Sequence, residues 1–488
     1  MEAERRAPAG ASGQGTAGVA DPDALCALDA TRLRTGLAAG TLTATACAEA
    51  LLARCAALEP QLQAWAFLDP VLVRAQAAAA DAARAAGAPL RALHGLPVGL
   101  KDVVDTASMP TENGCVLHAG RRPAADAVLV QRLRRAGAVL MGKTVTTELA
   151  TYASGPTRNP HDPRRTPGGS SSGSAAAVAA GMLPLAIGTQ TNGSVIRPAA
   201  FCGVVGYKPS AGMIPRTGVL VQSPSFDGVG VFARTVVDAA ILAEAIAGDD
   251  GRDPLARGRA PPRLARVAGA PLPRPPVVAW NGQPAWRRVA PDARAAFEAL
   301  ASRMGWCPLA LPAGCDEAYE HHRVVMEAEI AGSFESLWRD GAARLSTPLQ
   351  GQIERGLQVG AVRWRRGTEA AQALRAGFDR WFDVHGLDAW ATPSALGTAP
   401  EGLASTGDPV MCTLASFAGL PAVGLPLLRG ADGMPLGLQL VGRHGDDARL
   451  LRTANGLMEA AAGGAQRAGM RGAQGSGRGC GAVTMRRS

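Results

Sequence analysis

Apolar residues recur three and four apart over residues 46–58 (ACAEALLARCAAL) and 71–86 (VLVRAQAAAADAARAA), and this spacing, in alanine-rich segments of high helix propensity, predicts two helices. The run HGLPVGLKD from His94 reads as a turn into a short strand. A helix is expected over 125–136, stopped by Gly137 and followed by a short apolar strand over 138–141. The same alternation continues with a helix at 174–180, a strand at 185–188 and a buried stretch at 203–205. Proline and arginine accumulate over 252–276, which reads as a surface connection. A strand at 277–280, a helix at 291–304 and a largely helical region follow. PAVGLPLL and LGLQLVG then flank RGADGMP, a hairpin around an Asp-Gly turn, and a helix over 446–461 closes the chain. Helix alternating with strand predicts an α/β protein, and no repeat of 20 to 50 residues interrupts it.

Length allows one large domain or up to about three ordinary ones in 488 residues. With 47% hydrophobic and 19% charged residues the chain can bury a large core, which excludes disorder throughout. Residues 1–20 read as a disordered extension and 463–488 as a Gly/Arg-rich disordered tail, leaving 21–462 as the folded unit. Five of the charges behind the net +9 lie in that tail (Arg467, Arg471, Arg478, Arg486 and Arg487), so charge argues only weakly for nucleic acid or membrane. The RWRR cluster at 363–366 lacks interleaved aromatics and is expected on a solvated helix face, so no nucleic-acid partner is expected. Residues 167–196 carry no charge, but Pro184, the serine cluster and Gln190-Thr191-Asn192 would leave polar groups unsatisfied in lipid; buried soluble core is expected, with no membrane partner. Nine scattered cysteines without a C-x-x-C pair, and no hydrophobic leader, point to reduced thiols in the cytoplasm and to no zinc site.

Only three of the 50 basic residues are lysines: Lys101, Lys143 and Lys208. In a background that favours arginine, a lysine that persists marks a place a guanidinium cannot fill. Lys143 closes Gly137-Ala-Val-Leu-Met-Gly142-Lys143-Thr144, which matches the phosphate-binding loop pattern letter for letter. The context is inverted, because a helix precedes the first glycine and apolar strand formers fill the loop. A helix-to-strand turn is expected instead, with Lys143 in a structural hydrogen-bond network.

Three polar, glycine-rich segments stand out within apolar surroundings: Gly95-Leu-Pro-Val-Gly-Leu-Lys101-Asp-Val-Val-Asp105, Pro167-Gly-Gly-Ser170-Ser-Ser-Gly-Ser174, and Gly188-Thr-Gln-Thr-Asn-Gly-Ser194-Val-Ile-Arg-Pro198. A serine hydroxyl needs a base to become a nucleophile. None of the seven histidines lies in these loops and no G-x-S-x-G elbow occurs, so a Ser-His-Asp triad has little support. A desolvated lysine is the other route to a base that is neutral near pH 7, and Lys101, on a short apolar segment, fits it.

Together the segments resemble the amidase signature family of Ser-Ser-Lys serine hydrolases. The resemblance runs from about residue 30 to 460 and includes STGDPV at Ser405, GLPAVGLPLL at Gly419 and GMPLGLQLVG at Gly433. It implies a single large α/β domain whose central mixed β-sheet is covered on both faces by helices, with 252–400 as the variable, substrate-pocket region. It also implies Lys101 as base, Ser194 as nucleophile and Ser170 as the bridging serine, preceded by a cis peptide. Backbone N–H groups of Thr191, Asn192, Gly193 and Ser194 would form the oxyanion hole, with no metal or cofactor. Ser171 and Ser172 compete for the bridging role; register favours Ser170, with Ser171 as a neighbouring hydrogen-bond partner and a candidate substrate contact. Asn192 stands where glycine is frequent, which is tolerable if the position needs a positive φ. Arg197, three residues after the nucleophile, resembles the arginine that holds a substrate carboxylate in the malonamidase-like branch; the alternative is an arginine that braces the loop. Phe201, Cys202 and Tyr207 are expected in the core.

The implied activity is hydrolysis of the C–N bond of a small carboxylic amide through an acyl-enzyme, releasing ammonia or an amine. Two alternatives differ in class: the amidase subunit of a glutamyl/aspartyl-tRNA amidotransferase complex, and a catalytically silent scaffold. A homodimer is compatible with the sequence.

Overall fold

The computed structural model describes residues 21–468; the predicted extension at 1–20 and the tail beyond 468 lie outside them. Its core is an eleven-stranded mixed sheet. The strands are β1 (Trp65–Leu68), β2 (Pro97–Lys101), β3 (Val139–Thr144), β4 (Leu185–Gln190), β5 (Val205–Lys208), β6 (Gly228–Ala233), β7 (Val278–Trp280), β8 (Cys307–Pro308), β9 (Ala389–Pro393), β10 (Ala422–Arg429) and β11 (Pro435–Val441). Their spatial order is β1-β3-β2-β4-β6-β5-β10-β11-β9-β7-β8. β3, β2 and β4 run parallel, as helical crossovers demand, and β4 meets β6 antiparallel. The chain is a single α/β domain with helices flanking the sheet, as the alternation of periods predicts.

Local chemistry explains the element ends. The helix Pro70–Ala85 starts on a proline at its first turn, and Asp69 caps it by accepting from the N–H groups of Val71 and Leu72. Thr43 caps the helix Ala44–Leu62 in the same way through the Ala46 N–H. The hairpin predicted around RGADGMP is β10–β11, with Gly433 at φ +76° in its turn. Three expectations need adjustment. β3 runs on through Gly142 and Lys143, because both are fully interior. The 252–276 connection is partly interior: Asp253, Ala256 and Leu264 are buried and Leu264–Ala268 is a short helix. The closing helix spans Asp447–Ala468 and so passes the boundary set at 462.

Two large apolar clusters flank the sheet. One gathers Val98, Leu100, Ile187, Val231 and Leu242; the other gathers Met326, Phe378, Trp381, Trp390 and Phe417. Phe201, Cys202 and Tyr207 are buried as expected, and the arginines of RWRR stand exposed on the helix Ala361–His385.

Candidate active site

β2 is buried at every position and carries Lys101 at its C-terminal end, fully removed from solvent. The Lys101 Nζ lies 2.7 Å from Ser170 Oγ and 2.7 Å from Thr189 Oγ1. No carboxylate bonds it among the described residues. Desolvation therefore dominates and holds the amine well below the usual lysine range, with Asp227 pulling the other way.

Ser170 enters from the loop before the helix Ser172–Ala179, and the Gly169–Ser170 peptide is cis. Gly168, at φ +82°, lets this loop press on Pro198, where a Cβ would come within 2.8 Å of the proline Cα. The Ser171 N–H reaches the Ser194 carbonyl at 3.4 Å and ties the two loops together. Ser171 itself is fully buried, and its Oγ is spent on Thr189, accepting from the N–H and donating to the C=O. Burial and these two bonds make Ser171 a link between the serine loop and β4, the neighbouring hydrogen-bond role expected of it. Ser172 Oγ donates to the Val145 carbonyl and lies outside the Lys101 cluster.

The loop after β4 is organised by Gln190, a residue that no motif singles out. Its Oε1 accepts from the N–H groups of Val195 (2.7 Å) and Ile196 (3.0 Å), and its Nε2 donates to Ser416 Oγ, which in turn donates to the Asn192 carbonyl. The turn thereby curls so that the N–H groups of Thr191, Asn192, Gly193 and Ser194 make no hydrogen bond among the described residues. Four neighbouring unpaired donors beside a half-buried serine are a set that could receive a developing oxyanion. Asn192 needs no positive φ here; its side chain instead accepts from Thr413 Oγ1 at 2.9 Å. The Ser194 hydroxyl makes no hydrogen bond among the described residues.

Arg197 is buried on the short helix that follows. Its Nε donates to the Thr406 carbonyl and its Nη2 to the Gly169 carbonyl and Thr406 Oγ1, while Nη1 has no partner among the described residues. Burial without a carboxylate lowers its pKa. The residue lines a small niche with Ser194, Asn192, Tyr152 and Met326. Two of its nitrogens thus brace backbone carbonyls, as the bracing alternative expects, and the third is unpaired among the described residues.

Asp227 was also invisible in the sequence. It accepts from Thr191 Oγ1 at 2.6 Å and from the N–H groups of Gln222 and Ser223, and burial pushes its carboxyl up to about 6 against those bonds. His322 sits behind the loop, 3.2 Å from the Thr191 carbonyl and stacked on Phe226 at 4.7 Å; burial lowers it to about 4.

The other two lysines lie apart from this cluster. Lys143 is fully buried, donates to the Val104 carbonyl and Thr111 Oγ1, and lies 3.5 Å from Asp102. That is the structural network expected of it, with no phosphate cradle. Lys208 is buried at the end of β5 and donates to the Pro209 carbonyl. Among the described residues no group of three His, Cys, Asp or Glu could hold a metal ion, and no helix is long and apolar enough to cross a membrane.

Comparison with known proteins gives concordant matches. The family model Amidase matches residues 46–451. A glutamyl-tRNA(Gln) amidotransferase subunit of Chloroflexus aggregans (strain MD-66 / DSM 9485) is 34% identical over 471 residues, spanning 86% of this chain and 93% of its own. Among solved structures, the peptide amidase of Stenotrophomonas maltophilia is 30% identical with a TM-score of 0.77, covering 89% of this chain and 97% of that one. A protein from a vestigial complex that bears on the origins of an s-triazine catabolic enzyme superposes with a TM-score of 0.83 at 28% identity, covering 89% and 98% of the two chains.

Proposed function

The chain belongs to the amidase family, enzymes that hydrolyse amide C–N bonds, and from that premise we propose that Ser194 is the acyl-accepting nucleophile of this chain, activated by Lys101 through Ser170. The observation that carries the assignment is the Lys101 amine, buried without a carboxylate partner and 2.7 Å from Ser170 Oγ. A neutral amine has one lone pair and two hydrogens. It donates to Thr189 Oγ1 and accepts from Ser170, leaving Ser170 Oγ to accept in turn from Ser194 once that hydroxyl rotates toward it. As the Ser194 Oγ–carbonyl bond forms, the proton moves through Ser170 to Lys101, and the carbonyl oxygen takes the negative charge. The N–H groups of residues 191–194 receive it, each such donor being worth about 3 kcal/mol. The tetrahedral centre then expels the nitrogen, protonated along the same path in reverse. Water repeats the sequence on the acyl-enzyme and releases the carboxylate.

In this reading the substrate is a small amide, and where it carries a second polar group, a carboxylate or a carbonyl oxygen, that group meets the partnerless Nη1 of Arg197. The nucleophile is tested by fluorophosphonate labelling of the chain against Ser194→Ala, together with ammonia release from carboxylate-bearing and neutral amides. Labelling that persists in Ser194→Ala sinks the nucleophile assignment.

A second reading is favoured by the curated relatives, of which the Chloroflexus protein is 34% identical to this chain, against 30% and 28% for the two solved structures above. In it the chain is the amide-splitting subunit of a glutamyl-tRNA amidotransferase, with the same triad and with partner subunits. The two differ in the behaviour of the isolated chain. Turnover of amides other than glutamine without partner subunits supports the free enzyme, whereas activity restricted to glutamine and raised by added partner subunits supports the complex. Both place the chain in the cytosol, in keeping with eight unpaired cysteines among the described residues.

A further inference from the structure

A cavity of about 320 Å³ opens beside the Ser194 niche and shares Ala150, Thr191 and Gln222 with it as common wall. Thr189, the hydroxyl partner of Lys101, forms another part of its lining, so the space lies on the base side of the candidate active site. Its remaining walls are largely apolar: Val219, Leu220 and Val221 on one side, and Val229, paired across the sheet with Thr189, on the other. It is built from 216–229 and 252–254, almost wholly upstream of the region that the family resemblance reserves for the pocket.

Three of the four charged groups of the lining, Arg216, Asp227 and Asp253, are already committed. Arg216 is ion-paired with Asp253 at 2.9 Å and donates to the carbonyls of Pro224 and Asp227, and Asp227 is bound by Thr191 and two backbone N–H groups. Arg252 stands exposed at the mouth. The loop over the cavity is also fixed from outside, where Glu329 accepts from Ser223 and Ser225. A zwitterionic amino-acid amide such as glutamine would find apolar wall and pre-satisfied ions here. An apolar body would find a preformed hole, and that is where burial stabilises binding.

The strip between niche and cavity is polar and adjustable. Thr191 Oγ1 is 3.0 Å from Gln222 Oε1 as well as 2.6 Å from Asp227, and a single hydroxyl hydrogen cannot serve both acceptors. With the Gln222 amide flipped, its Nε2 donates to Thr191 instead, and the three groups form one chain. Gln222 and Thr191 thus form the partition between the niche at Ser194 and the apolar space.

We propose that this cavity receives the apolar body of the substrate, so that the preferred substrates are primary amides carrying an alkyl or aryl group of several carbons rather than amino-acid amides. The inference rests on the amidase reading above. It predicts that kcat/KM for ammonia release rises along acetamide, butyramide, hexanamide and phenylacetamide, by about fourfold per buried methylene at most. Hexanamide is expected to exceed acetamide at least about tenfold, with glutamine below hexanamide. Val221 is 48% exposed, so Val221→Trp can fill the mouth without rebuilding the core, and the hexanamide-to-acetamide ratio should fall about fivefold or more. Val221→Asp, which adds charge without bulk, should lower the ratio too, and thermal melts establish that each variant is folded. A flat series, or a ratio that neither variant moves while Ser194 still labels with a fluorophosphonate, overturns the cavity assignment and leaves the amidase reading standing. Absence of ammonia from every amide together with absence of labelling overturns both.

Discussion

Replacing Lys101 with arginine separates a basic residue from a base. The Lys101 site is a closed hole in which Nζ touches two hydroxyls and, among the described residues, no carboxylate, so burial drives its amine toward the neutral form. A guanidinium, with a pKa above about 12, keeps its proton there and has no lone pair to offer Ser170. Loss of the base removes the general-base contribution, about 10² to 10⁴ in rate, and in strongly coupled triads the loss is larger. A fall of at least about 10⁴ in kcat is expected, which corresponds to about 5 kcal/mol of transition-state stabilisation. Because arginine also crowds the hole, Lys101→Ala is the companion variant: it leaves space beside Ser170 and Thr189 that a small primary amine can enter. Steady-state ammonia release is measured for wild type, Lys101→Arg and Lys101→Ala, the last with and without added methylamine or ethylamine across pH. Recovery of Lys101→Ala should follow the concentration of unprotonated amine. An arginine variant within tenfold of wild type, or a folded alanine variant as fast as wild type without added amine, refutes the neutral-lysine mechanism.

Asp227 is the anion that opposes desolvation at Lys101, so Asp227→Asn should lower the lysine pKa further and shift the acid limb of the kcat/KM profile to lower pH; a shift to higher pH would contradict this. Arg197→Ala should destabilise the fold by about 2 to 4 kcal/mol, since the Gly169 and Thr406 carbonyls lose a buried donor, and urea midpoints will show it. Its effect on kcat/KM should be greater for carboxylate-bearing than for neutral amides, and equal losses would leave Arg197 as a brace alone. His322 is held neutral to about pH 4, against a usual value of 6.5. Above pH 6.5 it therefore costs nothing, and between 6.5 and 4 the unfolded chain takes a proton that the folded one refuses. Stability should fall by up to about 3 kcal/mol over that window, and urea unfolding of His322→Asn at pH 7 and pH 4.5 should show a shallower loss.

The alternation of helix and strand periods is a local property, and it sufficed for the α/β class and for most element positions. Lys101, Ser170 and Ser194 drew notice because their segments combine glycine, serine and a rare lysine inside apolar surroundings, and the folded chain places Lys101 against Ser170 across 69 residues. Gln190 and Asp227 were not legible. Each acts through hydrogen bonds to backbone or to a threonine whose proximity depends on the register of β4 against β6, and a lone glutamine or aspartate carries no mark of that in sequence. The partner of Ser171 was hidden for a related reason, since this serine adjoins Ser170 in the chain but turns its hydroxyl onto Thr189. The 252–276 segment misled through composition: its prolines and arginines suggest surface, but the Arg216–Asp253 pair draws part of it inward.

All three lysines of the chain are core residues, at 0%, 0% and 4% exposure for Lys101, Lys143 and Lys208. The outside of the folded molecule is therefore free of side-chain primary amines, and guanidinium groups carry the permanent positive charge of its side chains. Acylating reagents, aldehyde crosslinkers and amine-coupled resins have no lysine to grip while the fold is closed. Modification of a lysine would instead report that the sheet has opened, so the rate at which the lysines themselves become labelled follows the opening of the core.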